Sequence, residues 1–73
     1  MTFAEVWNKM PSRIDKFTWY EPNDTSNTEF HPNFDWLYRF LEDFGDATVE
    51  EYEESEDYEG ATEFTVCFGE ENW

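Results

Sequence analysis

His31-Pro32-Asn33-Phe34-Asp35-Trp36-Leu37-Tyr38-Arg39-Phe40-Leu41-Glu42-Asp43-Phe44-Gly45 is the stretch whose reading decides the fold. Phe34, Leu37, Tyr38, Leu41 and Phe44 recur at helical spacing and form one apolar stripe. Asn33 is a good N-cap, and Gly45 stands where a helix needs a left-handed residue to end. Trp36 and Phe40 fall on the flank of the stripe, which narrows the polar face to Asp35, Arg39, Glu42 and Asp43. A helix apolar over more than half its circumference needs cover on two sides. The expectation is a central pillar around which the other elements wrap.

Beyond Gly45 the chain changes character. Ala47 to Glu54 sets Thr48, Val49 and Tyr52 among four glutamates and reads as a strand. Val49 and Tyr52 differ in parity, so neither face is cleanly apolar, a pattern compatible with a bulge. Glu56-Asp57-Tyr58-Glu59-Gly60 reads as an exposed turn. Thr62 to Phe68 alternates well, with Phe64, Val66 and Phe68 directed inward. The two segments should pair as an antiparallel hairpin, leaving Gly69 to Trp73 as a tail.

Before the pillar, Thr2-Phe3-Ala4-Glu5 is a capping box opening a short helix with Phe3, Val6, Trp7 and Met10 on one stripe. Pro11 should stop that helix near Met10, and Ser12 to Asp15 suggests a further half-turn. Lys16 to Tyr20 reads as a strand with Phe17 and Trp19 on one face. Glu21 to Asn27 is turn chemistry, and Thr28-Glu29-Phe30 a short extended piece. The resulting expectation is one α+β domain over residues 1–73, in the order α-β-α-β-β, with a small antiparallel sheet packed on the central helix.

At 73 residues a single core is only just sufficient, and the aromatic content of 22% supplies what length does not. One cysteine excludes an internal disulfide and fits a reducing cytoplasm. One histidine beside one cysteine does not make a zinc site of the usual kind. No apolar run reaches the roughly 20 residues of a membrane-spanning helix, and no signal-peptide pattern opens the chain.

Catalysis finds little support. Carboxylates are so frequent that no pair stands out, and no nucleophile elbow or phosphate-binding glycine loop is present. Cys67 reads as a structural thiol and His31, beside Pro32, as a helix-start residue. Asn23, Thr25, Asn27 and Glu29 alternate like the start of a calcium loop, but the glycine and bidentate glutamate of such a loop are missing. Neither an enzyme, a cofactor nor a metal is expected.

Charge is the informative quantity. The net charge is −15, yet residues 1–39 carry only −2 and include all four basic groups, Lys9, Arg13, Lys16 and Arg39. Residues 40–73 carry −13 without one lysine or arginine. A solubilising surface usually intersperses both signs, and a one-sign run costs self-repulsion. High-salt adaptation is a second bland explanation, which the abundance of Asn, Phe and Trp disfavours.

A sharper reading is imitation of nucleic acid. B-DNA presents a phosphate roughly every 3.4 Å of axis on each strand, and a β-strand rises about 3.3 Å per residue. Acids at alternate positions of two paired strands would then approach phosphate density. The residues in question are Glu50, Glu51, Glu53, Glu54, Glu56, Asp57, Glu59 and Glu63, with Glu42, Asp43 and Asp46 leading in.

In size, charge, cysteine usage and its acidic 42–63 stretch, the chain resembles the small acidic phage-encoded anti-defence proteins, the DNA-mimic anti-restriction and anti-CRISPR inhibitors. That class shares no sequence motif and no single fold. What the resemblance implies is a cytoplasmic inhibitor that occupies the nucleic-acid site of a basic host nuclease or CRISPR surveillance complex. It would bind neither nucleic acid nor membrane itself. The alternatives are an immunity or antitoxin protein capping a basic nuclease toxin, and an acidic adaptor that presents Trp73 or Tyr58 to a partner.

Overall fold

Local sequence signals act as expected at both helix starts. A computed structural model describes residues 1–22 and 25–70. The first helix, α1 (Phe3–Trp7), is opened by a reciprocal cap, in which the Glu5 amide donates to Thr2 Oγ1 at 3.3 Å and the Thr2 amide donates to Glu5 Oε1 at 3.0 Å. The Thr2 amide foremost, and then the Thr2 hydroxyl, which donates to Glu5 Oε1 at 3.2 Å, hold the Glu5 carboxyl below its ordinary range. The helix closes at Asn8, earlier than the Met10 expected from its stripe, and residues 12–15 form an irregular connector with bends at 12 and 15 instead of a half-turn. Ile14 in that connector is buried, which a solvent-facing half-turn would not have allowed.

Four strands follow the expected segments, with one addition. They are β1 (Lys16–Tyr20), β2 (Ser26–Phe30), β3 (Val49–Glu56) and β4 (Thr62–Phe68). The extended piece before the central helix is thus a full strand, paired antiparallel with β1 from Lys16↔Phe30 to Tyr20↔Ser26. The chain is α+β in the order α-β-β-α-β-β, and its sheet runs β2-β1-β4-β3. The sheet is mixed, not wholly antiparallel: β1 and β4 lie parallel, with Phe17 opposite Phe64 and Trp19 opposite Val66. Parallel neighbours need a crossover connection, and the central helix supplies it.

That helix, α2 (Phe34–Phe44), begins where Asn33 Oδ1 accepts the Trp36 amide at 2.8 Å. Its end differs from expectation. Gly45 keeps right-handed helical angles, φ −56° and ψ −36°. Glycine is needed there for space, because a Cβ would stand 2.7 Å from the Leu41 carbonyl oxygen. The Gly45 carbonyl also accepts the Ala4 amide, and Ala47 accepts the Phe3 amide, so the 45–47 connection clamps α1 against the rest.

The pillar itself is rotated from the expected stripe. Phe40, assigned to the flank, is buried at the centre, with its ring 5.1 Å from those of Phe3 and Phe17 and 5.0 Å from Trp19. Leu37 is buried and Leu41 and Phe44 are half-buried, whereas Phe34 and Tyr38 are 65% and 53% exposed. The cause is the layer count. Both helices lie on one face of the sheet, and α1 is too short to cover the second apolar side of α2. Among the described residues nothing covers the far side of the pillar.

The core is Phe3, Val6, Ile14, Phe17, Leu37, Phe40, Val49, Phe64, Val66 and Phe68. Aromatic edges and faces meet throughout it, which suits a small domain that must bury much area with few side chains. No helix among the described residues is long and apolar enough to cross a membrane.

Candidate functional site

β3 is the outermost strand of the sheet, and only its first residue, Val49, is buried. The expected bulge lies between Val49 and Glu51. It brings Val49 opposite Phe68 and Tyr52 opposite Val66, so both reach the helix-covered side despite their unequal parity. From there the strand outruns its cover. Glu54 and Glu56 share the side of Tyr52, while Glu51 and Glu53 point to the open side with Ser55. All five glutamates of the strand are exposed, and none takes part in an ion pair among the described residues.

An exposed edge of eight residues would ordinarily invite pairing with another chain. Glutamates on both faces oppose that by repulsion. This protective role accounts for charge at the edge, and here five glutamates stand together.

The remaining acids divide by what they do. Asp57 builds the hairpin turn: its Oδ1 accepts the amides of Glu59 at 2.8 Å and Ala61 at 3.0 Å. Gly60 completes that turn with φ +84°, a conformation that favours glycine. Glu63 is the only acid on β4 and stands 3.7 Å from Lys16 Nζ, so it is partly neutralised. Glu42 and Asp43 are on the solvent side of α2, and Asp46 is in the connection to β3. The acidic ribbon therefore lies on one strand, Glu50 to Glu56, continued at the tip by Asp57 and Glu59. Expected charge on both strands of the hairpin is absent because β4 spends its alternate positions on the core.

Spacing can now be judged. Five carboxylates over a strand of eight residues, at about 3.4 Å rise, give one charge per roughly 5 Å. A duplex presents one charge per about 1.7 Å and each of its strands one per about 3.4 Å. The ribbon approaches the line charge of a single strand and falls well short of a duplex.

Behind the ribbon, on the open side of the sheet, Cys67 stands between Tyr20 and Glu51, and Thr65 between Thr18 and Glu53. Thr18 Oγ1 and Thr28 Oγ1 lie within 3.3 Å as a cross-strand hydroxyl pair. Burial, with Glu51 and Glu50 nearby, pushes the Cys67 thiol up, which makes it a poor nucleophile at neutral pH. Among the described residues no group of acids, histidine and cysteine gathers to hold a metal ion.

Two features escaped the sequence reading. The first is a polar knot at the hairpin end of the sheet. Asp15 Oδ2 accepts the Thr62 amide at 2.8 Å, and its Oδ1 accepts from Arg13 Nε at 3.2 Å and faces His31 Nδ1 at 3.9 Å. The Thr62 amide, followed by Arg13, holds the Asp15 carboxyl below its ordinary range. His31, with φ 51°, donates its own amide to the Asp15 carbonyl. The second is a groove of about 540 Å³ between the end of α1 and the start of α2, lined by Trp7, Met10, Ile14, Phe34 and Leu37 among others. Neither follows from local pattern: the knot depends on the parallel pairing of β1 with β4, and the groove on how the end of α1 and its connector meet the start of α2. Asn23 of the calcium-loop comparison and Trp73 of the tail lie outside the described residues. Tyr58 is 97% exposed at the hairpin tip.

No family model, no curated protein and no solved structure matches this chain.

Proposed function

We propose that this protein is a non-enzymatic, cytoplasmic inhibitor whose acidic edge strand stands in for a nucleic-acid backbone. The target is a basic nucleic-acid-binding protein, in the resembled class a host nuclease or CRISPR surveillance complex. The observation that carries the reading is the unneutralised run Glu50, Glu51, Glu53, Glu54 and Glu56 on one rigid, exposed strand. Such a run presents a line of charge to a phosphate-binding groove with little ordering entropy left to lose. Its density favours imitation of one strand over a duplex. Association would be steered by the field and sensitive to salt, and single carboxylates would matter little.

The test is capture followed by competition. Immobilised protein is used to capture basic proteins from a bacterial lysate, and the retained one is challenged with a short single-stranded DNA and the matching duplex. Displacement by either supports the reading, and preference for the single strand supports the density argument. A partner that DNA fails to displace overturns mimicry and leaves the antitoxin or adaptor alternatives.

A further inference from the structure

The groove between the helices has no acid in its lining. Its walls are Trp7, Met10, Pro11, Ile14, Phe34 and Leu37, with Arg13 at the rim. The other concavities include at least one of Glu21, Glu50, Glu51, Glu53, Asp35 or Asp43. Phe34 is 65% exposed at its mouth, and the exposed Tyr38 continues the apolar surface by packing 6.2 Å from Phe34 and 5.5 Å from Trp7. Aromatic surface left in water beside a ready-made groove marks a docking position.

The occupant is narrowed by charge. A second copy of this chain brings another −15 and is repelled. An acidic segment is repelled likewise. Arg13 at the rim is paired with Asp15 at 3.2 Å, and Lys9 and Lys16 stand close by in the chain, so the negative charge that selects the partner is that of the neighbouring hairpin and not of the groove wall. It also adjoins the acidic hairpin. Ile14, in its wall, precedes Asp15, which binds Thr62 at the foot of the turn bearing Glu56, Asp57 and Glu59. We infer that the groove seats an apolar anchor side chain of the basic partner, carried on a segment whose lysines or arginines lie against the hairpin tip. This inference rests on the partner being basic, as proposed above. It adds a second, salt-insensitive point of recognition that a uniformly charged polymer would not engage.

The two ideas can be told apart with two labelled peptides, one of six lysines around a central leucine–phenylalanine pair and one with that pair replaced by glycines. Fluorescence anisotropy would follow their binding to the wild type, to Phe34→Ser and to Glu56→Gln/Glu59→Gln. The expected result is that the apolar pair tightens binding about tenfold, a gain that persists at high salt. Phe34→Ser should abolish the gain while leaving the glycine peptide unchanged. Glu56→Gln/Glu59→Gln should weaken both peptides and keep their ratio. Amide shifts of Ser12 and Ile14 on addition of the leucine–phenylalanine peptide would place the anchor without reliance on any variant. The inference is overturned if the apolar pair brings no gain, if the gain survives Phe34→Ser, or if sedimentation shows self-association that Phe34→Ser removes. Gain without binding of the glycine peptide would sink the acidic ribbon and leave the groove standing.

Discussion

β3 and α2 each carry more of one chemistry than their place in the fold can use. The strand has eight residues and one buried side chain, while the helix is apolar on two sides and covered on only one. Surplus glutamate ends on an open sheet edge, and surplus aromatic surface ends at a groove. The first is not relieved by pairing, because among the described residues no cation reaches it. The second cannot be relieved because α1 is a helix of only five residues. The comparison teaches that surface excess on a small fold is best sought where its layers run out. Both regions border the same end of the sheet, near Thr62, so one partner is able to touch both.

The strongest way to break this comparison is to empty the covered side of α2. Phe40→Ala should cost about 3–5 kcal/mol, near the whole stability expected of so small a domain. Loss of the cooperative melt in circular dichroism would agree. Leu41→Ala, half-buried, should cost roughly 1 kcal/mol, about half of what full burial of a leucine contributes. Equal losses for the two variants would mean that the helix is rotated back toward its sequence stripe.

That rotation marks the limit of what the sequence made legible. The caps at Thr2 and Asn33, the Lys16–Tyr20 strand, the Thr62–Phe68 alternation and the Val49 bulge depend on neighbours within a few residues, and each could be read. Which of seven apolar positions on α2 faces the sheet depends on what lies opposite, and periodicity alone could not rank Phe40 above Phe34. The parallel β1–β4 pair, and with it the Asp15 knot, is a non-local choice. Of the acidic positions, the β3 glutamates could be located from strand alternation. The turn-building role of Asp57 and the pairing of Glu63 with Lys16 needed the register.

The next effect in size concerns the knot. Asp15→Ala should lower the urea midpoint at neutral pH, because it strands the Thr62 amide and frees Arg13. The folded carboxyl is depressed below its ordinary value of 3.8, so its stabilisation is complete above that value. It drains away as pH falls through the lower folded value. The gap between wild type and Asp15→Ala should therefore close on acidification below 3.8 and stay constant above it. A gap that widened toward acid would contradict the assignment.

Smaller still is the effect of screening. Because residues 40–73 carry −13, added salt should raise the urea midpoint of the free protein. A midpoint that falls or holds would show that the ribbon carries no appreciable self-repulsion. Tyr58→Ala, at the fully exposed tip, should leave the melt unchanged.

The central claim is that the carboxylates of β3 act together as a field, and one measurement addresses it directly. Association rate constants for a DNA-displaceable partner would be compared between the wild type, Glu53→Gln and the combined Glu50→Gln, Glu53→Gln, Glu54→Gln, Glu56→Gln variant. Asp57 is kept in the variant because it builds the turn. Asp35→Asn, exposed at the start of α2, is the control. The single change should slow association only slightly, since an exposed pair contributes about 0.2–1 kcal/mol. The combined change should slow it at least tenfold and flatten its salt dependence, with the melt intact and Asp35→Asn near wild type. A stably folded combined variant that associates as fast as the wild type would contradict the account and return the glutamates to edge protection alone.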